Sequence, residues 1–596
     1  MPETILQPSK KIIYDNMEFP KYGKRKNHLL LRGQLDNERS SFVSHWKDLA
    51  DFIKPRRIRL NTSDVNRGDK RNQNIIDSTG TFSYQVLRAG MMSGVTSPAR
   101  QWARLTTPDP DMAEYAPVKE WLYTVEQRMF TAYNRSNLYN SLPTIYGDMG
   151  LFATGCMFIE EDFDDVLRTY TYPVGSYWIA NNHKLQVDTF MRDFRMTIRQ
   201  LIQKFGKNID GKPNWGVFSE YVKNAYYNGN YESWVDVSHI IQPNEQYDPK
   251  SMRPENKKFE SCYFETGKAS GGKHSYMDDN QDVYLRESGY DRFPVLAPRW
   301  EVTGEDVYGT DCPFMTALGD IKQLQTGEKR ILQGIEKNLK PPLVGSSRLK
   351  TTRVSSLPGD VSFDDTPQSQ NGLRALYQID PRINEMEMKQ EQVRSRIRKH
   401  SYEELFLMLA NSTRRQITAR EIEERHEEKL LALGPMLEQL NQDLLDPLID
   451  YTYDILDRQG QIPPPPPELD GVDLKIEYIS VMAQAQKLVN IGGIERFAGF
   501  ASQLVAADPA AADKIDTDQM IDVYADMTSV PPGIVRSDET VAKIRADKAK
   551  AAQAQQAPAA MRDVTSSVKN LSESDMGGGQ NALNEMIQLA QAGQVT

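Results

Sequence analysis

Residues 313–339 read PFMTALGDIKQLQTGEKRILQGIEKNL and decide the fold class of the central part of the chain. Their apolar residues recur at three- and four-residue steps, which predicts an amphipathic helix with one apolar face: Ile321, Leu324, Ile331, Ile335 and Leu339. Pro313 suits the first turn, whereas Pro341 and Pro342 cannot continue the helix. With a rise of about 1.5 Å per residue, the predicted helix is about 40 Å long. It is polar for a core helix, which indicates packing against similar helices.

A second helix follows a short β excursion. Residues 340–384 carry no helical period, and KPPLVGSSRLKTTRVSSLPGDVSFDD and GLRALYQID predict short strands in a segment rich in Gly, Pro and Ser. Helical spacing resumes in EMEMKQEQVRSRIRKHSYEELFLML, residues 385–409. The sequence therefore predicts a hairpin of two helices with a small β structure at its tip.

A further long helix is predicted in the segment after the hairpin. NSTRRQ, residues 411–416, interrupts the helical pattern, and Thr418 and Glu421 form a capping box that starts a new helix. Its leucine spacing continues to about residue 458, and bends are expected at Pro435 and Pro447.

The C-terminal part begins with a stiff polyproline spacer at residues 463–467. We expect one strand in LKIEYISV, residues 474–481, and then helices to about residue 527. An Ala/Gln-rich tail ends the chain.

The N-terminal half combines helices and strands. Helical spacing occurs in SSFVSHWKDLADFIKPRR (40–57) and again at 75–92 and 118–133. Between about 166 and 300, short aromatic and β-branched runs separated by turn residues predict strands, and RMTIRQLIQKFG predicts one helix that ends at Gly206. The fold class is therefore α+β and rich in helix.

Composition limits the class of protein. The chain has 596 residues, and its three cysteines, Cys156, Cys262 and Cys312, are too few and too scattered for a disulfide framework, which indicates a reducing, cytoplasmic environment. No apolar run is long enough for a membrane helix. Residues 1–104 carry a net charge of +9 and the remainder −19. The basic N-terminal part is either a nucleic-acid surface or a contact between subunits.

The sequence lacks the motifs of an enzyme. The histidines show no zinc spacing, and GKAS at 267–270 departs from the P-loop pattern. The acidic run at Glu160–Asp165 is either a site for a divalent ion or, as we favour, a solvated turn after a strand. We expect no catalytic residue, metal or cofactor.

Several stretches resemble one family. GTDCPFMTALGDIKQLQTGEKRILQGIEKNLKPPLV, ITAREIEERHEEKLLALGPMLEQLNQDLLDPLIDYTYDIL, RSSFVSHWKDLADFIKPRR and NIIDSTGTFSYQVLRAGMMSGVTSPARQWARL resemble the portal (head-to-tail connector) proteins of short-tailed bacteriophages. The resemblance covers about residues 30–535 in the order of that family. It implies a ring of twelve subunits at a capsid vertex, with a central channel for double-stranded DNA. The other partners that it implies are the terminase motor, a tail adaptor, the major capsid protein and a scaffold.

The resemblance also implies a division of the chain and a location. The parts are N-terminal helices with an α/β wing (1–312), a first stem helix (313–339), a β-containing clip (340–384), a second stem helix (385–409), a tunnel loop with a long bent wing helix (410–470), a helical crown (471–540) and the Ala/Gln-rich tail (541–596). The protein would be assembled in the host cytoplasm and reside in the virion.

Three sets of candidate site residues follow from the resemblance. The stem residues expected to face the DNA channel are Arg394, Arg398 and Lys337. The alternative for such basic residues is pairing with carboxylates of a neighbouring subunit: Glu328, Glu336, Glu385 or Glu391. The tunnel-loop residues are Asn411, Ser412, Thr413, Arg414, Arg415 and Gln416. The clip residues expected to dock the adaptor are Leu343, Val344, Arg348, Lys350, Arg353, Leu376 and Tyr377.

Two other classes of function stay open at this stage. One is a metal-dependent nuclease or packaging enzyme, which would require convergent carboxylates and a metal. The other is a non-viral scaffold that forms oligomers through its leucine-rich helix.

Overall fold

The computed structural model describes most of the chain up to residue 479 and shorter stretches after it. The described residues are 23–61, 70–109, 112–113, 115–206, 214–266, 283–339, 343–344, 374–375, 383–411, 433–469, 471–472, 474–479, 497–504, 514, 516–527, 541–548, 550 and 569. The chain divides into two units, Met1–Gln486 and Lys487–Thr596.

Helices form most of the first unit. They are α1 (Lys24–Ile53), α2 (Thr79–Val95), α3 (Ala116–Arg135), α4 (Leu138–Phe152), α5 (Ile198–Phe205), α6 (Glu220–Tyr227), α7 (Pro313–Leu339), α8 (Ile383–His400), α9 (Glu403–Asn411), α10 (Gly434–Leu440) and α11 (Asp446–Arg458). The helices predicted in the N-terminal half are confirmed as parts of α1, α2 and α3. The predicted helix that ends at Gly206 is α5, which begins with a capping box between Thr197 and Gln200.

The strands predicted between residues 166 and 300 are confirmed. The strands in all the described residues are β1 (Ala103–Thr106), β2 (Met157–Asp162), β3 (Val166–Thr171), β4 (Tyr177–Asn181), β5 (Val187–Thr197), β6 (Trp234–Pro243), β7 (Phe259–Glu265), β8 (Arg286–Tyr290), β9 (Val295–Leu296), β10 (Leu343–Val344), β11 (Arg374–Ala375) and β12 (Lys475–Tyr478). β4 to β8 form a five-stranded antiparallel sheet in sequence order, and β3, β2 and β9 form a second sheet. The predicted C-terminal strand, β12, pairs with β1.

The basic residues of α1 attach this helix to the five-stranded sheet. A guanidinium nitrogen of Arg25 donates to the Glu265 carbonyl at 2.5 Å, and Arg32 forms an ion pair with Asp193 at 2.9 Å. Arg39 donates to two backbone carbonyls at 2.7 and 3.0 Å. These cations therefore hold parts of one chain together. The sequence analysis had considered only a nucleic-acid surface and a contact between subunits for the basic N-terminal part.

The long helix predicted from residue 418 to 458 is described from residue 433 onward. It consists of α10, a π-helical turn at Asn441–Leu445, and α11. Pro435 lies in the first turn of α10, where its missing N–H costs nothing. The bend expected at Pro435 stays a prediction, because the residues just before 433 lie outside the described part of the chain. Pro447 cannot donate to the preceding turn, and the π-helical turn lies immediately before it, as expected for a local irregularity at proline.

The second unit is helical where it is described. Residues 497–504 are helical, and a further helix spans Thr517–Met527. Arg545 forms two hydrogen bonds with the carboxylate of Asp518 at 2.5 and 2.8 Å. The prediction of helices up to about residue 527 is therefore confirmed for the described residues.

Candidate functional site

The central feature of the first unit is the hairpin formed by α7 and α8. Its tip carries an antiparallel strand pair within one chain, with Leu343 opposite Ala375 and Val344 opposite Arg374. The structure thus brings together the two segments for which the sequence predicted strands. Five of the predicted docking residues lie outside the described residues: Arg348, Lys350, Arg353, Leu376 and Tyr377.

The two hairpin helices approach each other closely at Gly327. A Cβ atom on this glycine would lie 1.7 Å from Nε2 of Gln390, so the amide of Gln390 packs directly against the backbone of the first hairpin helix and would have to move to admit a larger residue. Toward the base of the hairpin, four side chains are fully buried: Ile321, Leu324, Val393 and Ile397. Burial of such aliphatic side chains contributes about 1.5–3 kcal/mol each, which fixes the base of the hairpin to the core of the unit.

Arg394 ties the hairpin to the segment before α2. Its guanidinium contacts Glu328 of the first hairpin helix at 2.5 Å, Asp77 at 3.0 Å and Glu391 at 3.2 Å. Its side chain is 24% exposed. Burial opposes ionisation of Asp77, but hydrogen bonds from Thr79 and Arg394 outweigh it and lower the pKa of the carboxyl. This arginine is therefore occupied by three carboxylates of its own chain.

A buried glutamine completes the attachment. Oε1 of Gln325 accepts the backbone N–H groups of Ile76 and Asp77 at 2.6 and 2.8 Å, and Nε2 donates to the Asp77 carbonyl at 2.8 Å. Gln325 is only 4% exposed. The sequence analysis missed this residue, although a glutamine next to Leu324 on the apolar face of α7 was a visible signal of a buried hydrogen-bonding role.

The other two predicted channel residues differ in their surroundings. Arg398 is 41% exposed and forms an ion pair with Glu391 at 3.1 Å. The sequence analysis named Glu328 and Glu391 as partners from a neighbouring subunit, but the pairs observed here lie within one chain. Lys337 is exposed.

Several cations of the hairpin are exposed and lack an ion pair within the described part of the chain. Lys337 belongs to a set that is exposed and forms no ion pair with another described residue: Lys329, Arg330, Lys337, Lys389 and Lys399. Arg330 and Lys337 are seven residues apart and therefore lie on the same face of α7. The sequence analysis did not single out Arg330.

The second hairpin helix is not continuous. The sequence predicted one helix over 385–409, but α8 ends at His400 and α9 begins at Glu403. Tyr402 has a φ of +56°, a left-handed conformation that ends an α-helix. The ring of Tyr402 stacks on Trp300, with ring centroids 6.3 Å apart. Tertiary packing therefore breaks a helix whose sequence contains neither glycine nor proline at this point.

After the break, α9 packs against α2. Phe406 is 1% exposed and fills the space above Gly90, where a Cβ atom would lie 2.2 Å from the ring. The hydroxyl of Ser83 donates to the Glu403 carboxylate at 2.5 Å. Asn411, predicted as the first residue of the loop, is the last residue of this helix. Ser412, Thr413, Arg414, Arg415 and Gln416 lie outside the described residues, as does the capping box.

The first half of the acidic run, residues 160–162, belongs to β2, and the turn into β3 begins at Phe163. The predicted turn is therefore confirmed for the second half of the run, and the strand is longer than expected. Glu161 accepts a hydrogen bond from Gln459 at 3.1 Å, and Asp162 pairs with Arg168 at 3.4 Å. Among the described residues, no three His, Cys, Asp or Glu side chains lie close enough to hold a metal ion. The GKAS segment lies outside the described residues.

Burial disfavours the thiolate form of the cysteines. Cys156, Cys262 and Cys312 are all buried and form no disulfide bond. Burial raises the pKa of Cys262 and of Cys312 to about 12, which leaves both as neutral thiols at pH 7. None of the helices in the described part of the chain has the length and apolar character that a bilayer crossing requires.

Comparisons with known proteins point in one direction. The family model "Bacteriophage head to tail connecting protein" matches residues 26–535. The chain is 47% identical over 540 residues to the "Portal protein" of Salmonella phage epsilon15, which covers 91% of this chain and 94% of that protein. It is 39% identical over 554 residues to the "Probable portal protein" of Bordetella phage BPP-1, with 93% and 96% of the two chains covered.

Proposed function

The chain belongs to the bacteriophage head-to-tail connecting proteins, the portal proteins, and from this premise we propose that twelve copies form a ring whose central channel is lined by the α7–α8 hairpin. As a portal protein it is a structural component of the virion at the capsid vertex, where DNA passes and the tail attaches. We further propose that the subunit catalyses no reaction itself, holds no cofactor and is assembled in the host cytoplasm.

The observation that carries the proposal is the hairpin with a strand pair at its tip. α7 spans 27 residues and is therefore about 40 Å long. Its base is buried in the core, whereas its distal part, from Leu332 to Leu339, is largely exposed within one subunit. Contact with neighbouring copies in a ring would cover such a surface, because head-to-tail contacts that close produce a ring. In this reading α7 and α8 are the stem, and residues 340–384 are the clip.

The clip residues are proposed to dock the terminase motor and the tail adaptor. Within the described residues of the tip, β10 and β11 form two residue pairs in one chain, and two or three short strands have little stability by themselves. Pairing between adjacent subunits would extend it. Leu343, Val344, Arg348, Lys350, Arg353, Leu376 and Tyr377 remain the candidates for that surface. The major capsid protein and a scaffold would contact other faces of the ring.

The charges of the hairpin suit a channel through which DNA moves. We propose that Lys337 and Arg330 face the DNA, since both are exposed and free of ion pairs with described residues, and that Arg398 is a weaker candidate. Arg394 instead anchors the hairpin through its three carboxylates. A low density of free cations limits the affinity for phosphates, which increases with each phosphate neutralised.

The tunnel loop, residues 411–416, is proposed to touch DNA at the constriction. Arg414 and Arg415, repeated in each copy, would contact phosphates without reading sequence. Such contacts act only within a Debye length of about 8 Å at physiological salt.

Negative-stain electron microscopy with native mass spectrometry of the purified protein tests this function. Rings with a central hole and a mass of twelve subunits are expected. Filaments or monomers at the same concentration would contradict the proposal, and rings of another copy number would contradict the stoichiometry alone.

A further inference from the structure

An exposed group of aromatic rings lies at one end of the five-stranded sheet, around α6. We call Trp215, Tyr226, Tyr227 and Tyr231 the aromatic platform. Ring centroids are 5.3 Å apart between Trp215 and Tyr226, 5.2 Å between Tyr226 and Tyr231, and 5.9 Å between Trp215 and Tyr227. Tyr227 is 74% exposed and Tyr231 is 44% exposed.

The platform rests on a buried hydrophobic cluster. Trp215 and Tyr226 are partly buried and pack against a separate hydrophobic cluster that contains Phe218 and Val222. Rings held in place from below present a large amphipathic surface and lose little conformational entropy when a partner binds. Surfaces of this kind bind extended proline-rich segments, whose polyproline II conformation is already formed before binding.

The same chain contains such a segment, Pro463–Pro467, which we call the proline segment. Each of residues 463–466 is a proline that precedes another proline, which confines it to an extended backbone, and a short 3-10 turn, Pro467–Leu469, follows them. Pro464, Pro465 and Pro467 are exposed. At about 3.1 Å per residue, the extended part is about 12 Å long, which is enough to cross two steps between platform rings.

The proline segment already makes one contact of this chemistry in its own chain. The indole N–H of Trp121, a residue only 7% exposed, donates to the Pro463 carbonyl at 2.9 Å. This contact holds the start of the segment, whereas Pro464 and Pro465 after it are exposed. A cavity of about 330 Å³ lies next to the proline segment, and Tyr123 and Gln461 are among the residues that line it.

We propose that the proline segment of one subunit docks on the aromatic platform of the adjacent subunit. The occupant is a second copy because the chain exposes both surfaces, and a head-to-tail ring requires two different, complementary patches on each subunit. The inference rests on the proposed ring.

Photo-crosslinking in assembled protein tests the contact. Benzoylphenylalanine replaces Pro465, rings are formed from a mixture of isotopically heavy and light chains, and crosslinked peptides are identified after irradiation. The expected product joins residue 465 of one copy to the platform residues of another, so that heavy–light pairs occur. Crosslinks confined to single chains, or directed to other residues, would overturn the proposal.

Two variants give an independent check. Tyr227→Ala with Tyr231→Ala should abolish the crosslink and lower the denaturant concentration at which rings dissociate. Tyr247→Ala, a tyrosine 48% exposed beyond the other end of β6, should change neither. If the double variant dissociates like the wild type, the proposal fails while rings remain. If the wild type forms no ring by electron microscopy, both this proposal and the proposed function fail.

Discussion

Replacement of Gly90 by alanine should detach α9 from α2. The new Cβ would lie 2.2 Å from the ring of Phe406 and 2.5 Å from its Cβ. Because the Cβ of Phe406 is fixed by the backbone, rotation of the ring cannot remove the clash. Overpacking of this kind costs about 3 kcal/mol at the upper end of its usual range. The cost falls on the contact between α9 and α2 rather than on the whole unit.

Hydrogen exchange followed by mass spectrometry measures that contact directly, through the amides of residues 403–411. A loss of about 3 kcal/mol corresponds to exchange about 150-fold faster in this segment. Gly334→Ala is the matched control, because nothing lies within 4 Å of the Cβ that it would gain. It should stabilise its own helix by about 0.5–1 kcal/mol and leave residues 403–411 unchanged. Unchanged exchange in Gly90→Ala would refute the packing of Phe406 against Gly90.

Four further predictions concern stability and function. Arg394→Ala should lower the free energy of unfolding by about 2–3 kcal/mol, because the Asp77 and Glu328 carboxylates, 12% and 21% exposed, lose their ion pair with this arginine, as denaturant unfolding would show. Burial raises the pKa of Glu126 from 4.5 to about 7. The folded state therefore favours the neutral carboxyl, and this stabilisation is complete below pH 4.5 and lost as the pH rises through 7. Glutamine is neutral at every pH, so Glu126→Gln should raise the melting temperature at pH 8 but not at pH 4. Changing both Arg330 and Lys337 to glutamate should reduce the DNA packaged per head while rings still form, because the channel would repel phosphates. Deletion of residues 346–372 should leave the rest of the subunit folded and abolish binding to the motor or tail adaptor in a pull-down assay.

Each of these has a control or a contrary outcome. Arg199 pairs with Glu232 at 2.9 Å but is 69% exposed, so Arg199→Ala should cost at most about 1 kcal/mol. Glu120→Gln changes an exposed residue of the same helix as Glu126 and should leave the pH profile unaltered. Normal packaging by the charge-reversed ring, or adaptor binding by the deletion variant, would contradict the assignments of channel and clip.

Most helices and strands could be predicted from the sequence, because neighbouring residues determine where they begin and end. The hairpin helices, the strand segments at its tip and the strands between residues 166 and 300 follow from periodicity, proline positions and turn residues. α4 was missed because it is buried on most sides, and polar residues such as Ser141 and Asp148 are buried along with the apolar ones, so that no amphipathic stripe marks it. The break at Tyr402 was missed because its cause is packing against Trp300, 102 positions earlier in the chain.

The candidate site was less predictable than the fold. Sequence alone could list the cations of the hairpin, but it could not show which of them are neutralised. Arg394 meets Asp77, which lies 317 positions away, and Gln325 binds the same segment. The basic N-terminal part shows the same limit, since Arg25, Arg32 and Arg39 fix α1 to a sheet that is formed by residues far along the chain.

A cryo-electron microscopy reconstruction of the assembled protein tests the central claim most directly. The account predicts a twelve-fold ring in which α7 and α8 of every subunit surround the channel, with the side chains of Arg330 and Lys337 directed into it. A ring whose channel is lined by other elements, or one in which the α7–α8 hairpin lies on the outer surface, would contradict the account.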